Sequence, residues 1–272
     1  MKSTLLISTY NWPQALRLVL ESAFKQTVLP DEIVICDDGS GKETRTLIEG
    51  MSKKSPVPIK HVWHEDRGFR LAMIRNKGVA ASEGEYILQI DGDCILSKHF
   101  VEDQLKMATR GYYAGGKRIM LNEEWSTKTL TSRKVFVPYF GSLLQHDGLK
   151  KFARLHRIPI IMDCYSRLRS RSKRPLSGIY GFSISFWKDD FIKVNGYDEG
   201  FTGWGYEDTE MLSRLYNSGL KKLTIHFGGF VYHLYHKTRK EENPHLNSCY
   251  LRMKQSIDEK RVWAQDGIDK WL

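Results

Sequence analysis

The chain has 272 residues, and its 42 Lys and Arg against 32 Asp and Glu give a formal net charge of +10. With 41% hydrophobic and 12% aromatic residues it has enough apolar side chains for a core, which excludes a disordered chain. No apolar run approaches the roughly 20 residues of a membrane-spanning helix, and residues 1–10 lack the cleavage site of a signal peptide. Cys36, Cys94, Cys164 and Cys249 lie too far apart in sequence for a zinc knuckle or a disulfide framework, which favours a cytoplasmic protein.

Strands and helices alternate regularly in the first part of the chain. Apolar runs predict four strands, at Thr4–Ser8, Glu32–Cys36, Ile59–Trp63 and Tyr86–Ile90. Helical spacing of apolar residues predicts three helices between them, at Pro13–Gln26, Lys42–Lys53 and Leu71–Ala81. This order predicts an α/β fold, with a mostly parallel central sheet and helices on both of its faces.

The second half is less regular. Residues 141–174 have a basic, largely helical pattern, with nine Lys or Arg and one acid from Lys150 onward. The elements predicted after them are a strand at Gly178–Phe186, a Gly- and aromatic-rich loop at Asn195–Tyr206, a helix at Asp208–Ser218, a strand at Leu223–Phe227 and a helix at Cys249–Ala264. Because no linker or repeat interrupts the chain, we expect residues 1–272 to form one domain.

Polar clusters follow three of the predicted strands, at Ser8–Asn11, Asp37–Asp38 and Asp91–Asp93. In mostly parallel sheets, ligands bind beyond the carboxyl ends of the strands, so these clusters predict one site. Two carboxylates separated by a single glycine suit a divalent cation such as Mg or Mn that also contacts a diphosphate. Asp91–Asp93 alone is equally consistent with a turn, and Asp37–Ser40 alone is more typical of a turn with a helix N-cap.

Together these motifs resemble those of glycosyltransferase family 2, inverting enzymes with the A-type nucleotide-diphospho-sugar transferase fold. The matching elements are Ser8–Asn11, Asp37–Ser40, Gly68–Arg70 with Arg75 and Asn76, and Asp91–Asp93. In the second half, Gly203–Asp208 resembles the W-G-x-E-D element of bacterial chondroitin-type polymerases and galactosyltransferases. The resemblance implies a nucleotide-sugar-binding half at about residues 1–110 and an acceptor-binding, catalytic half at about 111–272.

The resemblance also implies a role for individual residues of the first half. Ser8, Tyr10, Asp38 and Arg70 are expected to line the uridine pocket, with Asp38 on the base. Asp91 is expected to contact the ribose or the surroundings of the metal.

The metal and acceptor residues follow from the same resemblance. Asp93 is the expected ligand of Mn or Mg, with His233 as the preferred second ligand because it ends a predicted strand, and His236 as the alternative. Asp208 is the expected catalytic base and Glu207 the expected acceptor ligand. Trp204 is either a core aromatic or a sugar platform, and Arg75 either a structural ion-pair partner or a site residue.

The chemistry independently favours one carboxylate base and one metal site on opposite faces of a sugar. We therefore expect transfer of Gal, GalNAc, GlcNAc or Glc from a UDP-sugar to a hydroxyl group of a glycan or glycolipid, in cell-envelope polysaccharide or lipopolysaccharide synthesis. A catalytically silent carbohydrate- or nucleotide-sugar-binding protein is the alternative. A sugar-nucleotide pyrophosphorylase is disfavoured, because residues 8–13 contain no glycine.

The basic run at residues 150–174 is either a solvated helix face or a contact with an anionic membrane or a lipid diphosphate. The second interpretation places the protein at the inner face of the cell membrane. Nucleic acid is not an expected partner, because aromatic residues do not interleave with the basic ones there.

Overall fold

The computed structural model describes residues 1–135, 157–170, 181–237 and 245–272. Ten strands are described: β1 (Ser3–Thr9), β2 (Glu32–Asp37), β3 (Ile59–Trp63), β4 (Tyr86–Asp91), β5 (Cys94–Leu96), β6 (Tyr112–Gly115), β7 (Lys117–Met120), β8 (Ser183–Trp187), β9 (Lys221–Thr224) and β10 (Phe230–His233). The helices of the same ranges are α1 (Pro13–Ala23), α2 (Lys42–Ser52), α3 (Leu71–Ala81), α4 (Phe100–Met107), α5 (Glu123–Ser132), α6 (Pro159–Ser170), α7 (Lys188–Lys193), α8 (Glu207–Asn217), α9 (Leu246–Asp258) and a 3-10 turn (Ile268–Trp271).

Seven strands form the central sheet in the order β3-β2-β1-β4-β8-β6-β9. The first four are parallel to one another, and β6 is parallel to β9. Strand β8 runs antiparallel to both of its neighbours, β4 and β6. The predicted mostly parallel sheet is therefore confirmed. Strands from both halves of the sequence contribute to it.

Apolar side chains on both faces of this sheet are buried. Leu5 and Ile7 of β1 belong to one core cluster, which includes the buried sides of α1 and α2. Leu6, between them, belongs to the opposite cluster with residues of α3, α7 and α8. Because both faces are covered, the central strands are continuous apolar runs rather than alternating ones. Helices on both faces are likewise as predicted.

A second, three-stranded sheet in the order β5-β10-β7 lies beyond the end of β4. The sequence pattern predicts one strand at Leu223–Phe227, but the chain forms β9, breaks, and continues as β10 in this second sheet. The break coincides with positive φ angles at Phe227 (58°) and Gly229 (57°), a conformation that no strand accommodates.

The C-terminal half also differs in some boundaries. Helix α9 covers Leu246–Asp258 rather than the predicted Cys249–Ala264, and Lys260 just beyond it has a positive φ of 49°. The predictions for residues 141–156, 171–174 and 178–180 lie outside the described residues. Within the ranges that are described, no helix is both long and apolar enough to cross a membrane.

Candidate active site

Arg75 lies at the centre of the candidate site. It belongs to α3, and its side chain is buried. Its Nη2 donates to Asp91 Oδ1 at the end of β4 (2.9 Å), and its Nε donates to Ser8 Oγ at the end of β1 (3.1 Å). Its Nη1 donates to Asp208 Oδ1 in the first turn of α8 (2.8 Å). One guanidinium therefore connects the strand edge of the first half with the W-G-x-E-D element of the second.

The carboxylates around Arg75 keep its guanidinium protonated. Burial alone lowers the pKa of Arg75, but the carboxylates of Asp208 and Asp91, with the Tyr197 ring, raise it overall, so the guanidinium keeps its charge. Burial raises the pKa of Asp91 to about 6, and the Arg75 charge opposes that effect.

Glu207 and Asp208 are brought to the start of α8 by an unusual backbone. Gly203, Gly205 and Tyr206 have φ angles of 94°, 111° and 73°, all in the left-handed region. The Glu207 carboxyl is buried, its Oε1 lies 3.7 Å from Arg75 Nη1, and its Oε2 has no hydrogen-bond partner within the described residues. Burial, together with the Asp208 charge, raises the pKa of Glu207 to about 8.

Because its pKa is raised to about 8, Glu207 holds a proton at neutral pH. Trp204, on the turn before this residue, is 39% exposed. That exposure argues against a core position for the Trp204 ring.

A second cluster forms around Asp93, at the turn between β4 and β5. Its Oδ2 lies 3.1 Å from His236 Nε2 and 3.7 Å from His233 Nε2, and its Oδ1 contacts the Cys94 thiol at 3.5 Å. The second sheet explains this proximity, because β10 pairs with β5 so that His233 is opposite Cys94. Asp93, Cys94 and His233 form the one group in the described part of the chain whose side-chain atoms converge closely enough for a metal ion.

The donor set of this cluster fits a divalent cation. A carboxylate suits hard cations, and imidazole completes many divalent sites. Burial alone would raise the pKa of Asp93, but the His236 hydrogen bond and the nearby imidazoles of His233 and His236 lower it, which keeps an anionic oxygen available. Burial lowers the pKa of His233, so its ring is neutral, as a ligand must be.

Gly92 connects this cluster to the first one. Its N–H donates to the Ser8 carbonyl at 2.7 Å, and a Cβ added at Gly92 would lie 2.7 Å from that same oxygen. Any side chain here would push the β4 end away from β1. The glycine between the two aspartates is therefore required by close backbone contact.

The third cluster is at the end of β2. Asp38 accepts hydrogen bonds from His64 Nε2 (2.7 Å) and from the backbone N–H of Arg70 (3.0 Å). The Tyr10 hydroxyl donates to Asp66 Oδ2 at 2.8 Å. The loop after β3 therefore lies against the ends of β1 and β2. Neither contact is predictable from the sequence, because the spacing of His64 and Asp66 gives no signal for it.

Most of the predicted site residues thus fall into three groups. The first group surrounds Arg75 and consists of Ser8, Asp91, Glu207 and Asp208. The second is the convergence of Asp93, His233 and His236. The third is the loop after β3, which includes Arg70 and is contacted by Tyr10 and Asp38. The sequence left the role of Arg75 open. The signal for a site residue was a charged side chain followed by Asn76 inside a largely apolar helical stretch.

Known proteins resemble this chain in sequence. The sequence profile of Glycosyl transferase family 2 matches residues 4–177, and that of the N-terminal domain of galactosyltransferase matches residues 165–237. Validoxylamine A glucosyltransferase of Streptomyces hygroscopicus subsp. limoneus is 28% identical over 236 residues, which are 80% of this chain and 48% of that protein. The chain thus spans about half the length of this curated relative.

Solved structures share the fold. S. aureus TarS 1–349 in complex with UDP-GlcNAc superimposes with a TM-score of 0.62 and 16% identity, covering 100% of this chain and 69% of that one. GalNAc-T7 with UDP, GalNAc and Mn²⁺ superimposes with a TM-score of 0.63 and 17% identity, covering 99% of this chain and 53% of that one. The family profile covers well over half of the sequence, and the central sheet is the one these glycosyltransferases have. This chain is a glycosyltransferase domain that belongs to glycosyl transferase family 2.

Proposed function

We propose that this chain is a metal-dependent, inverting glycosyltransferase that moves a sugar from a UDP-sugar to a hydroxyl group of a glycan or glycolipid. The donor sugar is Gal, GalNAc, GlcNAc or Glc, and the product belongs to cell-envelope polysaccharide or lipopolysaccharide, made on the cytoplasmic side. One observation carries the proposal: the Asp208 carboxylate is fixed by Arg75, which also binds Asp91 at the strand edge that bears Asp93.

Asp208 acts as the base. An inverting transfer needs the acceptor hydroxyl to attack the anomeric carbon from the face opposite the departing UDP. A carboxylate within hydrogen-bond reach of that hydroxyl removes its proton, which contributes about 10²–10⁴-fold to the rate. Asp208 lies in the first turn of α8, where a negative charge is also favoured by the helix dipole.

The nucleotide half is formed by the clusters at the ends of β1 and β2. Asp38 binds the uracil, while Ser8, Tyr10 and Arg70 line the pocket and Asp91 lies toward the ribose. The fold match to TarS in complex with UDP-GlcNAc supports a uridine nucleotide. His64 Nε2 holds the Asp38 carboxylate in place through its 2.7 Å contact with Oδ1.

Asp93 and His233 hold the divalent cation, Mn or Mg. Such a cation would supply positive charge that offsets the negative charge of the diphosphate. The GalNAc-T7 complex with UDP and Mn²⁺, on the same fold, supports this assignment.

Trp204 and Glu207 bind the acceptor or donor sugar. The exposed Trp204 ring offers a face for a sugar. Because its pKa is raised to about 8, Glu207 donates a hydrogen bond at neutral pH and so recognises a sugar oxygen.

We also propose that helix α6 contacts an anionic membrane surface. Of the basic run, only residues 157–170 are described, and in them Ile160 is 90% exposed and Leu168 56% exposed. Exposed apolar side chains on a helix within a basic segment suit the boundary of an anionic bilayer. Ile160→Asp with Leu168→Asp is expected to abolish sedimentation with phosphatidylglycerol vesicles, whereas Glu123→Gln on α5 leaves it unchanged. Equal sedimentation of all three proteins would contradict the contact.

The first experiment is calorimetric titration of UDP into the purified protein, with Mn present and then with chelator. Binding that requires Mn supports the nucleotide-diphosphate site and the metal together. Absence of binding in both conditions removes UDP as the donor nucleotide.

The second experiment distinguishes an enzyme from a silent binding protein. The wild-type protein is screened against the four UDP-sugars for slow hydrolysis, and the anomer released is identified by NMR before it equilibrates. Asp208→Asn is expected to lose about 10²–10⁴-fold in rate while keeping UDP binding, and Asp258→Asn at the end of α9 serves as the control. A wild-type protein that binds UDP and turns over none of these donors favours the silent binding protein.

A further inference from the structure

Tyr197 is a buried tyrosine that the site described above does not use. It lies in the loop between α7 and α8, is fully buried, and places its hydroxyl 3.2 Å from Asp208 Oδ1. The Arg75 guanidinium lies 5.3 Å above its ring. Asn76 fixes its backbone: Oδ1 accepts from the Tyr197 N–H and Nδ2 donates to the Tyr197 carbonyl, both at 2.8 Å. The ring is therefore held from three sides.

The hydrogen bonds of this hydroxyl have a definite direction. Gln89 Nε2 donates to the Tyr197 oxygen at 2.8 Å, which fixes the hydroxyl as an acceptor on that side. Its single hydrogen then has two acceptors within reach, Gln89 Oε1 at 3.1 Å and Asp208 Oδ1 at 3.2 Å. Hydrogen bonds to a carboxylate are about twice as strong as those to a neutral oxygen, so the hydrogen goes to Asp208.

The hydroxyl stays a donor at every working pH. Burial raises the pKa of Tyr197 well above its ordinary value, and Arg75 only partly opposes this. Gln89 is itself buried, and its Nε2 also donates to the Gly181 carbonyl at 3.2 Å, which keeps the amide oriented.

The other oxygen of Asp208 lies against Gly181. A Cβ built on Gly181 would fall 1.7 Å from Asp208 Oδ2, so the carboxylate occupies the space that a side chain would need. The two oxygens therefore have different surroundings. Oδ1 accepts hydrogen bonds from Arg75 and Tyr197 and lies 2.5 Å from the built Cβ, whereas Oδ2 is the oxygen nearest to it.

We propose that Tyr197 is a positioning residue that, with Arg75, holds Oδ1 of the base and leaves Oδ2 to accept the proton of the acceptor hydroxyl. This rests on the proposed function. As the acceptor oxygen bonds to the anomeric carbon, its proton passes to Oδ2, and the bond from that carbon to the diphosphate breaks with its electron pair leaving on UDP. Gln89 orients the tyrosine, and neither residue touches a substrate.

The test is Tyr197→Phe, which removes one oxygen and keeps the ring against Arg75. Without the hydroxyl the Asp208 carboxylate rotates more freely, and kcat is expected to fall about tenfold. The KM for the UDP-sugar is expected to stay unchanged, because the hydroxyl that is removed bonds Gln89 and Asp208 and, among the described residues, none of those proposed to bind the nucleotide.

The pH profile separates positioning from general structural damage. The titratable groups facing Asp208 are Arg75 from α3, Asp91 from β4, Glu207 beside it and Tyr197. Of these groups, only Tyr197 is changed in the variant. Loss of a donor to the charged carboxylate is expected to move the acidic limb of the kcat profile to higher pH.

Tyr86→Phe is the matched control. Tyr86 is also fully buried, and its hydroxyl donates to Ser185 Oγ at 3.0 Å at the opposite end of β4 from Asp91. Its variant loses a comparable hydrogen bond and should keep the wild-type kcat and pH profile. An active wild-type enzyme whose Tyr197→Phe variant matches it in kcat and in the acidic limb would overturn the inference. A wild-type protein that binds UDP but transfers nothing would instead refute the proposed function on which it rests.

Discussion

Arg75 Nη1 lies 2.8 Å from Asp208 Oδ1, and the two residues are separated by 133 positions in sequence. The contact joins α3, inside the first half of the fold, to α8, which follows the glycine-rich turn of the second. Asp91 shares the same guanidinium. The candidate base is therefore held in place only when both halves are folded together.

Loss of the buried positive charge of Arg75 is predicted to lower the free energy of unfolding strongly. Arg75→Met would leave the Asp91, Glu207 and Asp208 carboxyl groups without their shared positive charge, and removing one partner of a buried ion pair costs about 3–5 kcal/mol. Urea unfolding followed by circular dichroism measures the change in the free energy of unfolding. Arg67→Met is the control, since Arg67 is 72% exposed and pairs with an exposed Glu65. A loss no larger than that of the control would show that the carboxyl groups are neutralised by other means.

The two histidines near Asp93 are separable by single substitutions. His233 is buried and held by β10, whereas the His236 side chain is 43% exposed, so His233 is the better pre-organised ligand. His233→Ala is expected to weaken Mn-dependent UDP binding at least about tenfold, and His236→Ala much less. Calorimetry with Mn measures both, with His99→Ala as a control remote from the site. The reverse order of effects would make His236 the ligand.

Glu207 gives the protein a pH-dependent stability of known sign. Its pKa is raised to about 8 from an ordinary 4.5, so the folded protein holds a proton that the unfolded chain releases between these values. The free energy of unfolding therefore falls as pH rises through that window, by up to about 1.4 kcal/mol per pH unit. Glu207→Gln should flatten this dependence.

Urea unfolding in chelator at several pH values between about 5 and 8 measures the slope. Asp91, whose pKa is raised to about 6, contributes a slope of the same sign at the lower end in both proteins. Glu49→Gln, at an exposed position of α2, should keep the wild-type slope. If Glu207→Gln also kept it, the buried carboxyl would be ionised throughout.

Gly181 is predicted to be irreplaceable for activity. An alanine Cβ would lie 1.7 Å from Asp208 Oδ2, so Gly181→Ala must displace the carboxylate. A misplaced base is expected to lower kcat about 100-fold with UDP binding retained. Gly50→Ala is the matched control, because nothing lies within 4 Å of its added Cβ and alanine is favoured inside helix α2. Full activity of Gly181→Ala would show that Asp208 has another productive position.

The sequence alone determined the fold class and the three polar strand ends. Apolar runs of strand length, alternating with helical spacing, are local signals, and a parallel sheet brings the ends of its strands to one edge. That is why the sequence is sufficient to predict that Ser8, Asp38, Asp91 and Asp93 lie at strand ends on one edge of the sheet. Their order along the chain also carried the family resemblance, which the matched profile over residues 4–177 confirms.

The tertiary structure decided the contacts between distant segments. No spacing predicts that β8 runs antiparallel between β4 and β6, or that β10 pairs with β5 and so brings His233 to Asp93. The partners of Arg75 likewise depend on how α3 and α8 meet over one face of the sheet. Such pairings depend on burial and on the balance of charge inside the folded protein. A buried guanidinium is stable only when carboxylates lie beside it, and these can come from any part of the chain.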